Sequence, residues 1–373
     1  MGEIRNQSFL LSTNDPLKVG FKGFRVTSYG GQFVLCKLSS CFALVRQLLI
    51  FAHQHRGWSP FKNLGELWRL LTHIGMRREI LGVLKLRPFD EIAKSNSRLA
   101  FKYLIPNYLA RGFTLAERVA CFLHHYRRMH TTFPENVLRQ ILQGDVSLHE
   151  FSNGVNCFAL TMGLPEAIGD REGELSLDLR VDGKVIFNLS FTIVPGWVAK
   201  SEAAEILLIT RLQGTKGALP QIKLAQEAFH EFFPGKLLLA ALQGVAAAFG
   251  IWELAAVCAA NQKSYEKQYA AIFKRGYDDL FAEVGMVKSA AGLYSSPAPI
   301  KGRPLKLLKV RNRSRAKKRW AIRQQIRSAC EAFLLGAVDR AAASSACAVG
   351  SVPVPGAVEL QPSPIFCPTS DDS

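Results

Sequence analysis

From Glu174 to Arg180 apolar and polar residues alternate, with Leu175, Leu177 and Leu179 on one face and Glu174, Ser176, Asp178 and Arg180 on the other. A period of two marks a strand with one buried face. The next stretch alternates as well, with Val185, Phe187, Leu189, Phe191 and Ile193 set against Lys184, Asn188, Ser190 and Thr192. Together they predict a hairpin. A two-residue turn at Asp182-Gly183 would set Leu177 opposite Asn188 and mix the faces. The expected loop is therefore Val181-Asp182-Gly183, which pairs Leu179 with Val185 and Leu177 with Phe187. An apolar strand follows from Glu205 to Leu212, ending in the loop Gln213-Gly214-Thr215-Lys216-Gly217.

Helical periodicity dominates the chain before the hairpin, and residues 41–160 read as helical. Leu64, Leu67, Trp68, Leu71 and Ile74 share one face. Thr114 and Glu117 form a capping box for a helix that turns Val119, Phe122, Leu123 and Tyr126 inward. A further helix starts at Pro134 and closes before Gly144. After the apolar strand, helices are expected at Gln221 to Phe232 and Gly235 to Phe249, then a strand from Ile251 to Ala259. Tyr265 to Val284 is helical again, with Tyr269, Ile272, Phe273, Leu280 and Phe281 as its stripe. The apolar run Leu237 to Ala260 has the length of a membrane span. It carries Gln243 and Glu253, and Gly250 divides it, so it reads as a buried helix followed by a strand.

This order predicts an α+β protein: an N-terminal helical region, then an α/β domain whose mixed sheet resembles the GNAT acyltransferase fold. A hairpin that leads through a helical crossover into a parallel strand requires such a sheet. The expected parts are an irregular extension (1–40), the helical region (41–165), the α/β domain (166–300), a basic amphipathic helical segment (301–340) and a disordered Ala-, Ser- and Pro-rich tail (341–373).

Charge adds one feature. The formal net charge is +17, but thirteen Lys and Arg residues and no Asp or Glu lie between Lys288 and Arg327. Removing that segment leaves 47 − 13 = 34 basic against 30 acidic residues, so the excess is local. Its later part carries an apolar stripe of Ile322, Ile326, Ala329, Cys330, Phe333 and Ala337. Arg311, Arg313, Arg315, Lys317, Lys318, Arg319 and Arg323 are the candidate anion-binding residues. An anionic membrane surface is the expected partner, with nucleic acid as the alternative and a solvated helix packed on the domain as the structural reading. The eight cysteines include no CxxC pair, and the first forty residues show no signal-peptide pattern. The expected location is therefore cytoplasmic, peripheral to the inner membrane.

The chain resembles the VirK/YbjX family of bacterial proteins. The resemblance rests on ACFLHHYRR (Ala120 to Arg128), REGEL (Arg171 to Leu175), Leu212-Gln213-Gly214, FPGKLLL (Phe233 to Leu239) and NRSRAKKR (Asn312 to Arg319), in that order, over residues 60–330. Where the family commonly has Gly-Gly before LQG, this chain has Thr210-Arg211. The resemblance implies a role in cell-envelope properties, virulence and tolerance of antimicrobial peptides. It implies no catalytic residues.

Candidate chemistry is sparse. GNAT acyltransferases bind pyrophosphate through a loop of pattern [QR]-x-x-G-x-[GA] at a helix N-terminus. Arg211-Leu212-Gln213-Gly214 matches its first positions, although Lys216 stands where Gly or Ala belongs. Arg211, Gln213, Gly214 and Gly217 are thus candidate residues for a coenzyme A thioester. The alternative is a simple strand-ending turn. Cys121, His124, His125 and His130 lie close in sequence, but no second ligand pair accompanies them, so no metal site is assigned. Glu172, Glu174 and Asp178 could supply a general base; on an exposed hairpin face they would be solvated carboxylates.

Overall fold

The computed structural model describes residues 74–95, 97–144, 146–165, 172–289, 292–301 and 309–349. The expected face Leu64 to Leu71, the extension 1–40 and the tail beyond 349 lie outside them. Helices α1 (Ile74–Leu84), α2 (Phe89–Ser95), α3 (Leu115–Thr132) and α4 (Glu135–Gln143) come first, with a 3-10 segment at Ser97–Leu104. The Thr114–Glu117 capping box forms on α3 as expected. Then follow β1 (Val146–Ser152), β2 (Cys157–Gly163), β3 (Leu175–Val181), β4 (Lys184–Pro195) and β5 (Glu205–Gly214). Helices α5 (Leu219–Ala228) and α6 (Pro234–Ala248) lead to β6 (Glu253–Val257). A helical stretch follows as α7 (Ala270–Phe273), a π-helical turn (Lys274–Asp279) and α8 (Leu280–Val284). The last elements are β7 (Val287–Lys288), β8 (Leu293–Pro297) and α9 (Val310–Val349).

Among the described residues the strands form one mixed sheet in the order β1-β2-β3-β4-β5-β6-β8-β7. The expected parallel crossover is present: β5 pairs with β6 in parallel, through Leu207↔Leu254, Leu208↔Ala255 and Ile209↔Ala256. Helix α6 packs on β3, β4 and β5, and α9 lies against α6 and β1. Leu160, Leu179, Leu237 and Ile326 converge on this side of the sheet. Helix α3 packs on β4 from the opposite, polar face.

Four expectations need correction. Residues 146–163 are not helical but form the β1–β2 hairpin, which extends the sheet beyond β3. The alternation of Phe158, Leu160 and Met162 carries that signal in the sequence.

The β3–β4 turn has two residues, with Val181 opposite Lys184. Asp182 (φ 48°) and Gly183 (φ 79°) take the positive dihedrals of a type I′ turn. The Asp182 carboxylate accepts from the Cys157 amide and the Asn156 side chain, both at 2.8 Å, which holds it there. The faces still match, because a bulge at Ile186 moves the register to Leu179↔Phe187 and Leu177↔Leu189.

The helical stripe around Phe273 is broken by the π turn. Ile272 is exposed, while Tyr277, Leu280 and Phe281 are buried. Finally, α9 continues past residue 340 to Val349.

Candidate functional site

The polar face of the hairpin is buried rather than solvated: Glu172, Glu174, Ser176, Asp178, Ser190 and Thr192 all lie inside. The EGEL segment crosses this face at Gly173, whose φ of +145° suits only glycine. A Cβ there would stand 2.8 Å from the Ser190 Cβ and 3.0 Å from the Phe191 nitrogen. Glu172 and Glu174 therefore project from a backbone pressed against β4.

Glu174 anchors one cluster. Its carboxylate accepts from the Tyr108 hydroxyl at 2.5 Å and the Tyr126 hydroxyl at 2.6 Å. The Lys102 ammonium lies 3.0 Å from it and also donates to the Gly173 carbonyl at 2.8 Å. Burial, then the Glu174 charge, pushes both tyrosine hydroxyls well above their ordinary range. His125 adjoins this cluster on α3, and its Nδ1 accepts the Ile193 amide at 3.2 Å. Burial, then the Lys102 charge, holds the imidazole down at about 3. A surface depression of about 310 Å³ between α2 and α4 is lined by Ile92, Leu142 and Leu164. The same three residues line a smaller space reaching Lys102, Tyr126 and Glu174, so the cluster lies behind the floor of that depression.

Glu172 anchors a second cluster, 3.4 Å from the Arg211 guanidinium and 3.3 Å from the Ser264 hydroxyl. Thr210 is the extra residue of a bulge in β5. Its hydroxyl reaches the carbonyls of Glu172 and Ser190. Tyr277 closes this cluster. Burial, then the Glu172 charge, raises its hydroxyl, while the Leu212 amide opposes the shift by donating to it.

Beyond the bulge β5 stays on β4 but parts from β6, whose pairing ends at Ile209↔Ala256. The Thr215 amide donates to the Ile186 carbonyl at 2.9 Å. Alternation along an antiparallel ladder then directs Arg211 and Gln213 toward β4 as well. Leu212 and Gly214 turn their backbone groups the other way, into the opening. Tyr277 meets the Leu212 amide, whereas Gly214 sits at the exposed end beside the loop that enters α5.

The sequence-derived candidates divide accordingly. Gln213 and Gly214 end β5 opposite Asn188 and Phe187, and Gly217 (φ +82°) turns the chain into α5. Arg211 does not join them; its guanidinium turns under the sheet to Glu172. On α9 the apolar stripe packs against α6, with Ile326, Cys330 and Ala337 buried. A Cβ on Gly244 would stand 2.9 Å from the Cys330 Cβ, and closer still to the Arg327 carbonyl. Arg319 donates to the carbonyls of His230 and Glu231, at 3.1 and 2.7 Å. Arg323 lies over the Phe232 ring at 5.9 Å. These two arginines dock the helix. Arg313, Arg315, Lys317 and Lys318 are exposed, and the side chain of Arg311 lies outside the described residues.

The histidine-rich run of α3 also has separate partners. Arg128 and His124 hold Glu205, and Arg128 donates to the Phe249 carbonyl at 2.7 Å, so the run ties α3 to the sheet rather than forming a solvated helix end. Sequence reasoning missed Lys102, Tyr108, Tyr126, Ser264 and Tyr277 as site residues. Lys102 and Tyr108 sit in or just after a 3-10 segment with no regular periodicity, and Tyr277 sits in a π turn, so no pattern flags them. Tyr126 did carry a signal, but an apolar stripe accounts for it equally well.

Fold and site thus define an α+β domain with buried carboxylates beneath an opened parallel strand pair. The chain belongs to the family described as Protein of unknown function (DUF535), whose model matches residues 67–332. Neither a curated protein nor a solved structure matches it. Among the described residues no helix is long and apolar enough to cross a membrane.

Proposed function

We propose that this domain is a GNAT-like acyltransferase that takes its acyl group from a phosphopantetheine thioester such as coenzyme A. The observation that carries the reading is the parting of β5 from β6 after Ile209↔Ala256, which leaves the Gly214 end of β5 as an open edge, with the Leu212 amide held by the Tyr277 hydroxyl. A pantetheine arm is a linear chain with amides, and it can pair with such an edge as an added strand does. In the exposed loop Gln213 to Gly217 the Gln213 and Thr215 amides serve β4, and the Lys216 and Gly217 amides at the start of α5 offer the phosphate contacts, with the Lys216 side chain beside them. The bulge at Thr210 and the strand order around β5, β6, β8 and β7 also suit this fold.

In the reaction the acceptor's nitrogen or oxygen attacks the thioester carbon, forming the new acyl bond as the C–S bond breaks. The acceptor's proton ends on the departing sulfur. Glu172 and the Tyr277 hydroxyl on the Leu212 amide are the ionisable groups assigned to the proton transfers. The resemblance to the VirK/YbjX family supports an acceptor belonging to the cell envelope, and through it a role in virulence and antimicrobial-peptide tolerance.

The test is thermal unfolding with acetyl-, octanoyl- and palmitoyl-coenzyme A. A ligand bound only by the folded state adds about 2.7 kcal/mol at one hundred times its Kd, so the midpoint should rise. A folded sample with no shift at millimolar thioester would remove the reading's support.

A further inference from the structure

We propose that the acyl donor reaches the open edge of β5 on an acidic carrier protein that docks on the exposed basic turns at the start of α9. The proposal rests on the acyl-transfer reading and names the donor's form.

Position comes first. Arg319 and Arg323 fasten α9 to the chain between α5 and α6, at the His230 and Glu231 carbonyls and the Phe232 ring. The next residue, Phe233, packs its ring on Phe187 at 5.3 Å. Phe187 is the strand partner of Gly214, at the open end of β5. Arg319 and Arg323 are thus linked to the open end of β5 through Phe232, Phe233 and Phe187, and the basic turns of α9 extend from that point.

Charge and surface come next. Lys309, Arg315, Lys317 and Lys318 are exposed, and Lys216 and Lys223 add exposed cations on the loop after β5 and on α5. Exposed carboxylates on α5 and the turn after it are Glu227 and Glu231, and Glu283 is paired with Lys236, so the balance stays positive. From Lys309 to Lys318 the helical rise covers roughly 14 Å. That is broader than one nucleotide's phosphates need, since the loop after β5 already faces them. The buried stripe of α9 packs on α6, and the apolar residues left exposed on the basic turns, Val310 and Trp320, are single positions rather than a continuous stripe to insert into a bilayer. A folded acidic protein carrying a phosphopantetheine arm fits both the basic turns and the open edge, and opposite charge speeds such encounters.

The experiment compares one acyl group in two forms, on coenzyme A and on purified acyl carrier protein, each titrated into the full chain. The carrier should bind about tenfold tighter at low salt and lose that advantage at high salt. Arg315→Glu with Lys317→Glu and Lys318→Glu should weaken carrier binding at least about tenfold and leave acyl-coenzyme A binding unchanged. Lys317→Gln with Lys318→Gln serves as the milder variant, and thermal unfolding checks that both remain folded. If acyl-coenzyme A binds but the carrier binds no better, or ignores the substitutions, the carrier proposal is wrong and the acyl-transfer reading stands. If neither form binds, both fall. Anionic vesicles or duplex DNA that bind tighter than the carrier, and are lost in the same variants, would assign the basic turns to another polyanion and overturn the proposal.

Discussion

Replacing Lys102 with Met should destabilise the domain more than any other single side-chain change in the Glu174 cluster. The Lys102 side chain is 4% exposed and that of Glu174 1%, and their charged groups lie 3.0 Å apart. Removing the ammonium strands a carboxylate inside the protein, a change that costs about 3–5 kcal/mol when one member of a buried pair is lost. Hydrogen bonds from Tyr108 and Tyr126 remain, and such bonds to a charged group contribute about 1.5–3 kcal/mol each, which places the expected loss near the lower end. The lost bond to the Gly173 carbonyl adds about 1 kcal/mol. The total is about 4 kcal/mol. Glu174→Gln removes the charge as well as the partner, so the double variant should recover about 2 kcal/mol of coupling. Urea unfolding of the wild type, both single variants and the double variant at one pH measures this directly. A Lys102→Met variant within about 1 kcal/mol of the wild type, or strictly additive losses, would refute the pairing as the source of stability.

Other outcomes are testable in the same way. His125 titrates at about 3 in the folded protein against 6.5 for its ordinary value, so between those values the unfolded chain binds the extra proton. Its contribution is complete above 6.5 and fades as the pH falls toward 3, by up to about 1.4 kcal/mol per pH unit. His125→Asn should flatten that slope, and an unchanged slope in urea midpoints between neutral and acidic pH would contradict it. Gly244→Val should cost at least about 2 kcal/mol, because its side chain would collide with Cys330 and the Arg327 backbone; a wild-type melting temperature would show that α9 does not pack there. Gly173→Ala should lose about 2 kcal/mol or more through its φ of +145° and the contact with Ser190, and an unchanged midpoint would show that the EGEL backbone is not pressed on β4.

The sequence alone determined the elements whose signal is local. The Thr114–Glu117 cap, the alternation of β3 and β4, the apolar β5 and the division of Leu237 to Ala260 into a helix and a strand all follow from neighbours a few residues apart. Two elements depart from that local pattern. The three-residue loop preserved the faces by changing the turn, whereas the protein keeps a type I′ turn and restores the faces with a bulge at Ile186. The β1–β2 hairpin lies directly after the helix at Pro134, and the alternation of Phe158, Leu160 and Met162 is the local signal that separates it from the helical region. The site depended on tertiary structure. Glu174 meets Lys102 and Tyr108 across separations of about seventy residues, and Glu172 meets Arg211 and Ser264 across still different elements. A solvated carboxylate and a buried one share the same alternating pattern; only the packing of α3, the 3-10 segment and the π turn over the sheet distinguishes them. The same holds for α9: its sequence supplies an amphipathic basic helix, and the close approach at Gly244 is what seats its apolar stripe on α6.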